Sequence, residues 1–152
     1  MVRRTLELLP AGHGPVGARF DAGFYRIELL RMLRKNGVSF SISAPRSSAM
    51  WRALAGIDEG EWAPAIDFPE AEVAETEYCP EGWEHEPLRL VIRRVAFAAE
   101  GIASDLRARR RRTIPRAQLS LVEAGEASTA YGYSFILTDM HGPPELVEHH
   151  HR

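Results

Sequence analysis

Lysine is almost missing from this chain: of its 19 basic residues only Lys35 is a lysine, and the rest are arginines. A GC-rich coding bias produces such a ratio as readily as selection for guanidinium chemistry does, and takes the larger share of the explanation. Cysteine is equally scarce. The single Cys79 excludes an intrachain disulfide and any CxxC metal site, which points to synthesis in a reducing cytoplasm. Long apolar runs are absent too. LRLVIRRVAF is interrupted by Arg93 and Arg94, far short of the roughly 20 residues that span a bilayer. After Arg3 and Arg4 the apolar stretch is broken by Glu7 and Pro10, too short for a secretory core, so no membrane partner is expected. Positive charge is missing between Arg52 and Arg89, where acids from Asp58 to Glu86 accumulate. The sign then reverses, with nine arginines from Arg89 to Arg116 against only Glu100 and Asp105.

What is present suits one domain with a real core, since 152 residues at 45% apolar content leave little room for two. The organising stretch is VGARFDAGFYRIELLRMLRKNGVSFSISA, from Val16 to Ala44. Val16, Ala18 and Phe20 alternate as a strand that ends on Asp21. Phe24, Ile27, Leu30 and Leu33 then fall at helical spacing, with Arg26, Arg31, Arg34 and Lys35 on the other face. Asn36-Gly37 supplies a left-handed stop, and Val38, Phe40 and Ile42 form one side of a second strand. Two strands joined by a crossover helix most often lie parallel, with polar residues at their carboxyl ends facing a common crevice.

Around this unit, residues 2–9 read as a short helix. Gly12, Gly14 and Gly17 have the spacing of a dinucleotide fingerprint but the wrong order, following a helix and leading into a strand, so they read as a turn. Ser47 or Ser48 can cap a helix through Met50, Trp51 and Leu54, where Trp51 reads as core rather than as a base-stacking platform. Prolines 64, 69, 80 and 87 punctuate an irregular, strand-rich excursion whose acids Glu70, Glu72, Glu75 and Glu77 read as a solvated face, not a calcium loop. Leu88 to Phe97 is a strand with apolar residues on both faces. The polar segment from Ala98 to Ala130 reads as a loop with one short helix over about Ile102 to Arg112. Tyr131 to Thr138 is a last strand, Pro143 and Pro144 open a final helix, and His149, His150 and His151 are expected in its polar beginning rather than in a zinc site or a tag.

Two candidate sites emerge. Asp21, at a strand end, is by pattern alone a helix cap before it is anything else. Arg107, Arg109, Arg110, Arg111 and Arg112, with Arg116 nearby, are either a solvated surface run or a phosphate-binding loop that supplies salt-dependent, sequence-independent affinity.

The run FDAGFY at Phe20 to Tyr25, with VSFSI after it, the excursion from Ile57, LRLVIRRVAF, and Ile136-Leu137-Thr138-Asp139 in that order, resembles the DDE-type insertion-sequence transposases, and within them transposase DDE domain group 1. The resemblance implies an α/β fold of partial ribonuclease H-like type. Residues 1–56 and 131–152 would belong to the core, and residues 57–130 to a strand-rich insertion with a basic loop. It implies bacterial DNA transposition, with DNA as partner and two Mg²⁺ (or Mn²⁺) ions about 3.5–4 Å apart held by three carboxylates. Asp21 matches the second carboxylate, as catalytic and metal-binding residue, and the arginines would contact transposon DNA. The first Asp would lie on a strand upstream of Met1, and the final Glu beyond the pair that His151-Arg152 resembles. Neither Asp139 nor Glu148 stands at a matching position. The chain is therefore expected to be an inactive fragment. Alternatively it is a non-catalytic DNA-binding remnant, dimerising or pairing with an intact transposase. Its Asp21 strand is expected to have an unpaired edge and the fold to be marginally stable.

Overall fold

The computed structural model describes residues 2–152. The alternation at Val16–Phe20 forms strand β1, with Val16, Ala18 and Phe20 half-buried and Gly17 and Arg19 exposed. Asp21 then stays extended and its Oδ1 accepts a hydrogen bond from Gly23 N (2.9 Å), capping a 3-10 turn over Ala22–Phe24. A short polar side chain that satisfies nearby backbone donors competes with continuous helix. The helix (α2) consequently starts at Ile27, three residues after the helical spacing begins, and runs to Lys35 (Ile27–Lys35) with Leu30 and Leu33 buried. Gly37, at φ +66°, makes the left-handed exit, and β2 (Val38–Ala44) pairs parallel with β1 from Val16↔Val38 to Phe20↔Ile42.

Four more strands complete one sheet: β3 (Ala63–Pro64), β4 (Ala71–Tyr78), β5 (Leu88–Ala98) and β6 (Thr129–Thr138). The order is β1-β2-β6-β5-β4-β3, and every pairing other than β1 with β2 is antiparallel. The fold is thus mixed α/β with a mostly antiparallel sheet. The strands of the expected insertion, β3 to β5, continue the same sheet as β1 and β2. Among the described residues strand β1 has a single neighbour, so its outer edge is open there.

The sheet is covered on both faces. On one, α2, α3 (Ser48–Leu54, capped by Ser47 Oγ) and α1 (Val2–Glu7) close over Phe40, Ile42, Leu90, Ile92, Phe135 and Leu137. Trp51 meets Tyr133 and Phe135 edge-on at 6.0 and 5.2 Å, a packing role. Arg94 shares this face. It is buried between the rings of Trp62 (4.3 Å) and Tyr131 (4.7 Å) and bonded to Glu72 and Glu59, so Glu72, one of the acids expected on a solvated face, is in fact paired with it.

On the other face, α6 (Pro144–His151) seats Val147 against Ala71, Val73, Val91 and Ile136. The upper halves of β5 and β6 are covered by α4 (Ala99–Ala103) and α5 (Arg116–Glu123) through Ile102, Ile114 and Ala130. The expected helix over Ile102 to Arg112 does not form: α4 stops at Ala103, and the arginines occupy turns followed by a 3-10 turn at Arg111–Thr113. Helical geometry would stack those arginines at i,i+3 and i,i+4, a like-charge arrangement that opposes it. Asp105 Oδ2 instead accepts from Arg110 N (2.6 Å).

The 3-10 turn rests on Gly132, where a Cβ would meet Thr113 Oγ1 at 2.3 Å and Phe97 at 2.6 Å. Replacing Gly132 by Ala should therefore push the arginine segment off the sheet and cost about 1–3 kcal/mol, as overpacking does. Urea unfolding of the variant against the parent chain checks this.

Candidate nucleic-acid interface

Because β1 and β2 are parallel, their carboxyl ends lie at one end of the sheet, and Asp21 sits there, exposed. Its carboxylate does what a cap does, bonding Gly23 N. Among the described residues no group of three or more His, Cys, Asp or Glu could hold a metal ion. Asp139 ends β6, which runs antiparallel to β2, and so occupies the opposite rim; its Oδ1 accepts from Phe40 N (2.7 Å), and burial raises its pKa while that bond opposes the rise. Glu148 is fully buried under the sheet, its Oε1 held by Arg93 (2.6 Å) and Arg152 (3.2 Å). Mg²⁺ is held by one or two carboxylates together with substrate phosphate and water. A single exposed carboxylate already bonded to its own turn does not make such a site, so the residues present do not by themselves fit Mg²⁺ or Mn²⁺.

Helix α6 carries an arrangement that sequence reasoning missed. The three histidines close the helix instead of opening it, and His151 turns onto the sheet, where its Nδ1 lies 2.8 Å from Ser41 Oγ and its Nε2 2.9 Å from Ser43 Oγ. Burial first, then the nearby charges of Arg19 and Arg93, lower its pKa to about 4. It is neutral at pH 7, with one ring nitrogen accepting a hydroxyl proton and the other donating. Ser41 is buried and Ser43 half-buried, and Glu148 bonds the arginines rather than the imidazole. The available signal was the period-two row Ser39, Ser41, Ser43 opposite Val38, Phe40 and Ile42. Ser43 lies one step past Ile42, the partner of Phe20, so the C-terminal end of α6 arrives at the Asp21 end of the sheet.

The arginines divide. Arg110 donates to Gly101 O (2.9 Å) and stacks over Phe97 (5.4 Å), and Arg111 pairs with Glu123 (2.8 Å), so both are spent internally. Arg107, Arg109, Arg112 and Arg116 are exposed, and none of their side chains has a hydrogen-bond or ion-pair partner among the described residues. Strands β5 and β2 both oppose β6 and hence run the same way, which brings the end of β5 to the Asp21 end of the sheet. The β5/β6 arm continues six residues past the level of Ala44, about 20 Å at the rise of a strand, and Asp21's strand lies three positions to the side, about 14 Å. The segment that carries the four unpaired guanidinium groups joins β5 to β6 on the Asp21 side of the sheet, and its 3-10 turn folds back to the level of Gly132.

The chain matches no family model, no curated protein and no solved structure.

Since the folded pKa of His151 lies below its unfolded value of about 6.5, the unfolded state binds its proton first as pH falls. Stability should be full above about pH 6.5 and decline toward about pH 4. A His151→Asn variant should show a flatter slope through that window in urea titrations at stepped pH.

Proposed function

We propose that this chain forms part of a DDE-type insertion-sequence transposase, a bacterial, metal-dependent DNA recombinase of ribonuclease H-like fold, in which Asp21 is one of three metal-holding carboxylates. The observation that supports this reading best is the shared placement of Asp21 and the four unpaired arginines at one end of a sheet whose β1-α2-β2 unit is parallel. The work of this chain's own residues is to bind and orient DNA: Arg107, Arg109, Arg112 and Arg116 neutralise phosphates along the backbone, and Arg110 and Arg111 hold their loop in place.

A second reading is a non-catalytic DNA-binding or dimerising remnant in the cytoplasm. The bond between Asp21 and Gly23 N and the lack of companion ligands among the described residues favour it. Nicking of supercoiled DNA with Mg²⁺ separates the two. Residues 1–152 should bind without nicking under either reading, whereas a chain extended at both ends within its reading frame should nick and lose that activity on Asp21→Asn. Absence of nicking by the extended chain leaves the remnant.

Four phosphate contacts imply a slope of log affinity against log salt of about −3.6, or roughly a 150-fold loss between 50 and 200 mM. Alanine at Arg107, Arg109, Arg112 and Arg116 together should flatten that slope in fluorescence-anisotropy titrations. An unchanged slope ends the phosphate-contact assignment.

A further inference from the structure

Leu106 stands at the tip of the arginine loop with its side chain 100% exposed, beside the unpaired Arg107 and Arg109. A scattered surface leucine would need no account, but this one is held out by its surroundings. Leu106 N bonds Ser104 O (3.0 Å), Ala108 N bonds Asp105 O (3.0 Å), and Asp105 Oδ2 takes Arg110 N. Arg110 in turn is fixed to Gly101 O and Phe97. Ala108 sits at φ +51°, a left-handed conformation that costs an alanine energy and persists only where neighbours impose it. The loop is therefore a braced turn that presents one apolar side chain beside two unpaired cations, next to a recess of about 400 Å³ lined by Ser104, Asp105, Leu106, Arg107, Arg109 and Arg110.

We propose that Leu106 is a wedge that enters the base stack of bound DNA, while the adjacent Arg107 and Arg109 hold phosphates beside it, so that the loop selects DNA steps that unstack easily. The inference rests on the DNA-contact reading above. Apolar side chains inserted between base steps, with arginine beside them, are an established way of kinking a duplex, and the cost of unstacking falls at flexible or mismatched steps. An anionic membrane would also suit leucine among arginines. A single leucine buries far less apolar surface than even one acyl chain, which alone anchors only marginally, so DNA is the better fit.

The test uses residues 1–152 and 20-base-pair duplexes that carry 2-aminopurine beside either a mismatch or a uniform G·C-rich step. The unsubstituted chain should bind the mismatched duplex about tenfold tighter and raise its 2-aminopurine fluorescence. Leu106→Ala should lose both the preference and the fluorescence rise, on the scale of burying one leucine, and keep the salt slope. Leu106→Phe should retain both. A Leu106→Ala chain that behaves as the parent overturns the wedge and leaves the phosphate contacts standing. No DNA binding by the parent overturns both, as does Leu106-dependent binding to phosphatidylserine vesicles in place of DNA. A fully exposed side chain contributes nothing to the core, so these variants should fold as the parent does.

Discussion

The molecule depends on one strand being inserted where its chain position does not suggest. Strand β6, near the C-terminal end of the described residues, lies between β2 and β5, pairing with β5 along its length and with β2 from Phe135 to Thr138. Its end is fastened by side chains as well as by the ladder: Thr138 Oγ1 donates to Phe40 O (2.7 Å) and accepts from Met140 N (3.0 Å), and Asp139 takes Phe40 N. Above Ala44, where β2 no longer covers it, β6 is satisfied by Gln118 Oε1 on Tyr131 N (2.8 Å) and by Arg46 Nε on Tyr133 O (3.0 Å). Without β6 the parallel β1-α2-β2 unit and the β3-β4-β5 sheet would have no common core. The arm against which the arginine loop is folded would lose one of its two strands.

The helix laid across β6 is joined to the sheet by polar contacts as much as by Val147. Arg93 reaches Glu148 and Ser134, Arg152 reaches Glu148 and Ile66 O, and His151 bridges two serines. Buried ion pairs of this kind fix register more than they add stability, because desolvation offsets much of the attraction. Arg93 Nε and Glu148 Oε2 are buried with no partner of their own among the described residues, which adds to that cost. The result is a helix whose rotation is set by charge geometry, and whose C-terminal end is thereby aimed at the rim where Asp21 stands.

Much of this was legible in the residues, and the reasons differ from element to element. The change from period two to helical spacing across Asp21, and the Asn36-Gly37 stop, define β1, α2 and β2 because both signals are local. The two apolar parities of β5 are equally local, and they anticipate a strand covered on both faces. Strand order is not local: nothing in β6 itself says that it pairs with β2 on one side. Helix α5 was hidden because Pro115 and Arg116 continue a polar, charged stretch, and its half-buried positions Leu119 and Val122 are only two residues. The short helix expected within that loop, over about Ile102 to Arg112, was suggested by the helix propensity of arginine, whereas mutual repulsion and Asp105 decide the outcome. His151 was misread because its partners lie 108 and 110 positions away.

Placing the last-made strand at the middle of the sheet also sets the timetable of assembly. Until Thr129 to Thr138 have been synthesised, β2 and β5 each present an unfilled row of backbone donors and acceptors, and neither can pair with the other without excluding the strand still to come. Closure must wait for contacts spanning nearly a hundred positions, such as Phe40 with Asp139, a topology that slows folding. The nascent chain accordingly passes through a period in which two sticky seams are open at once, until β6 arrives to fill them.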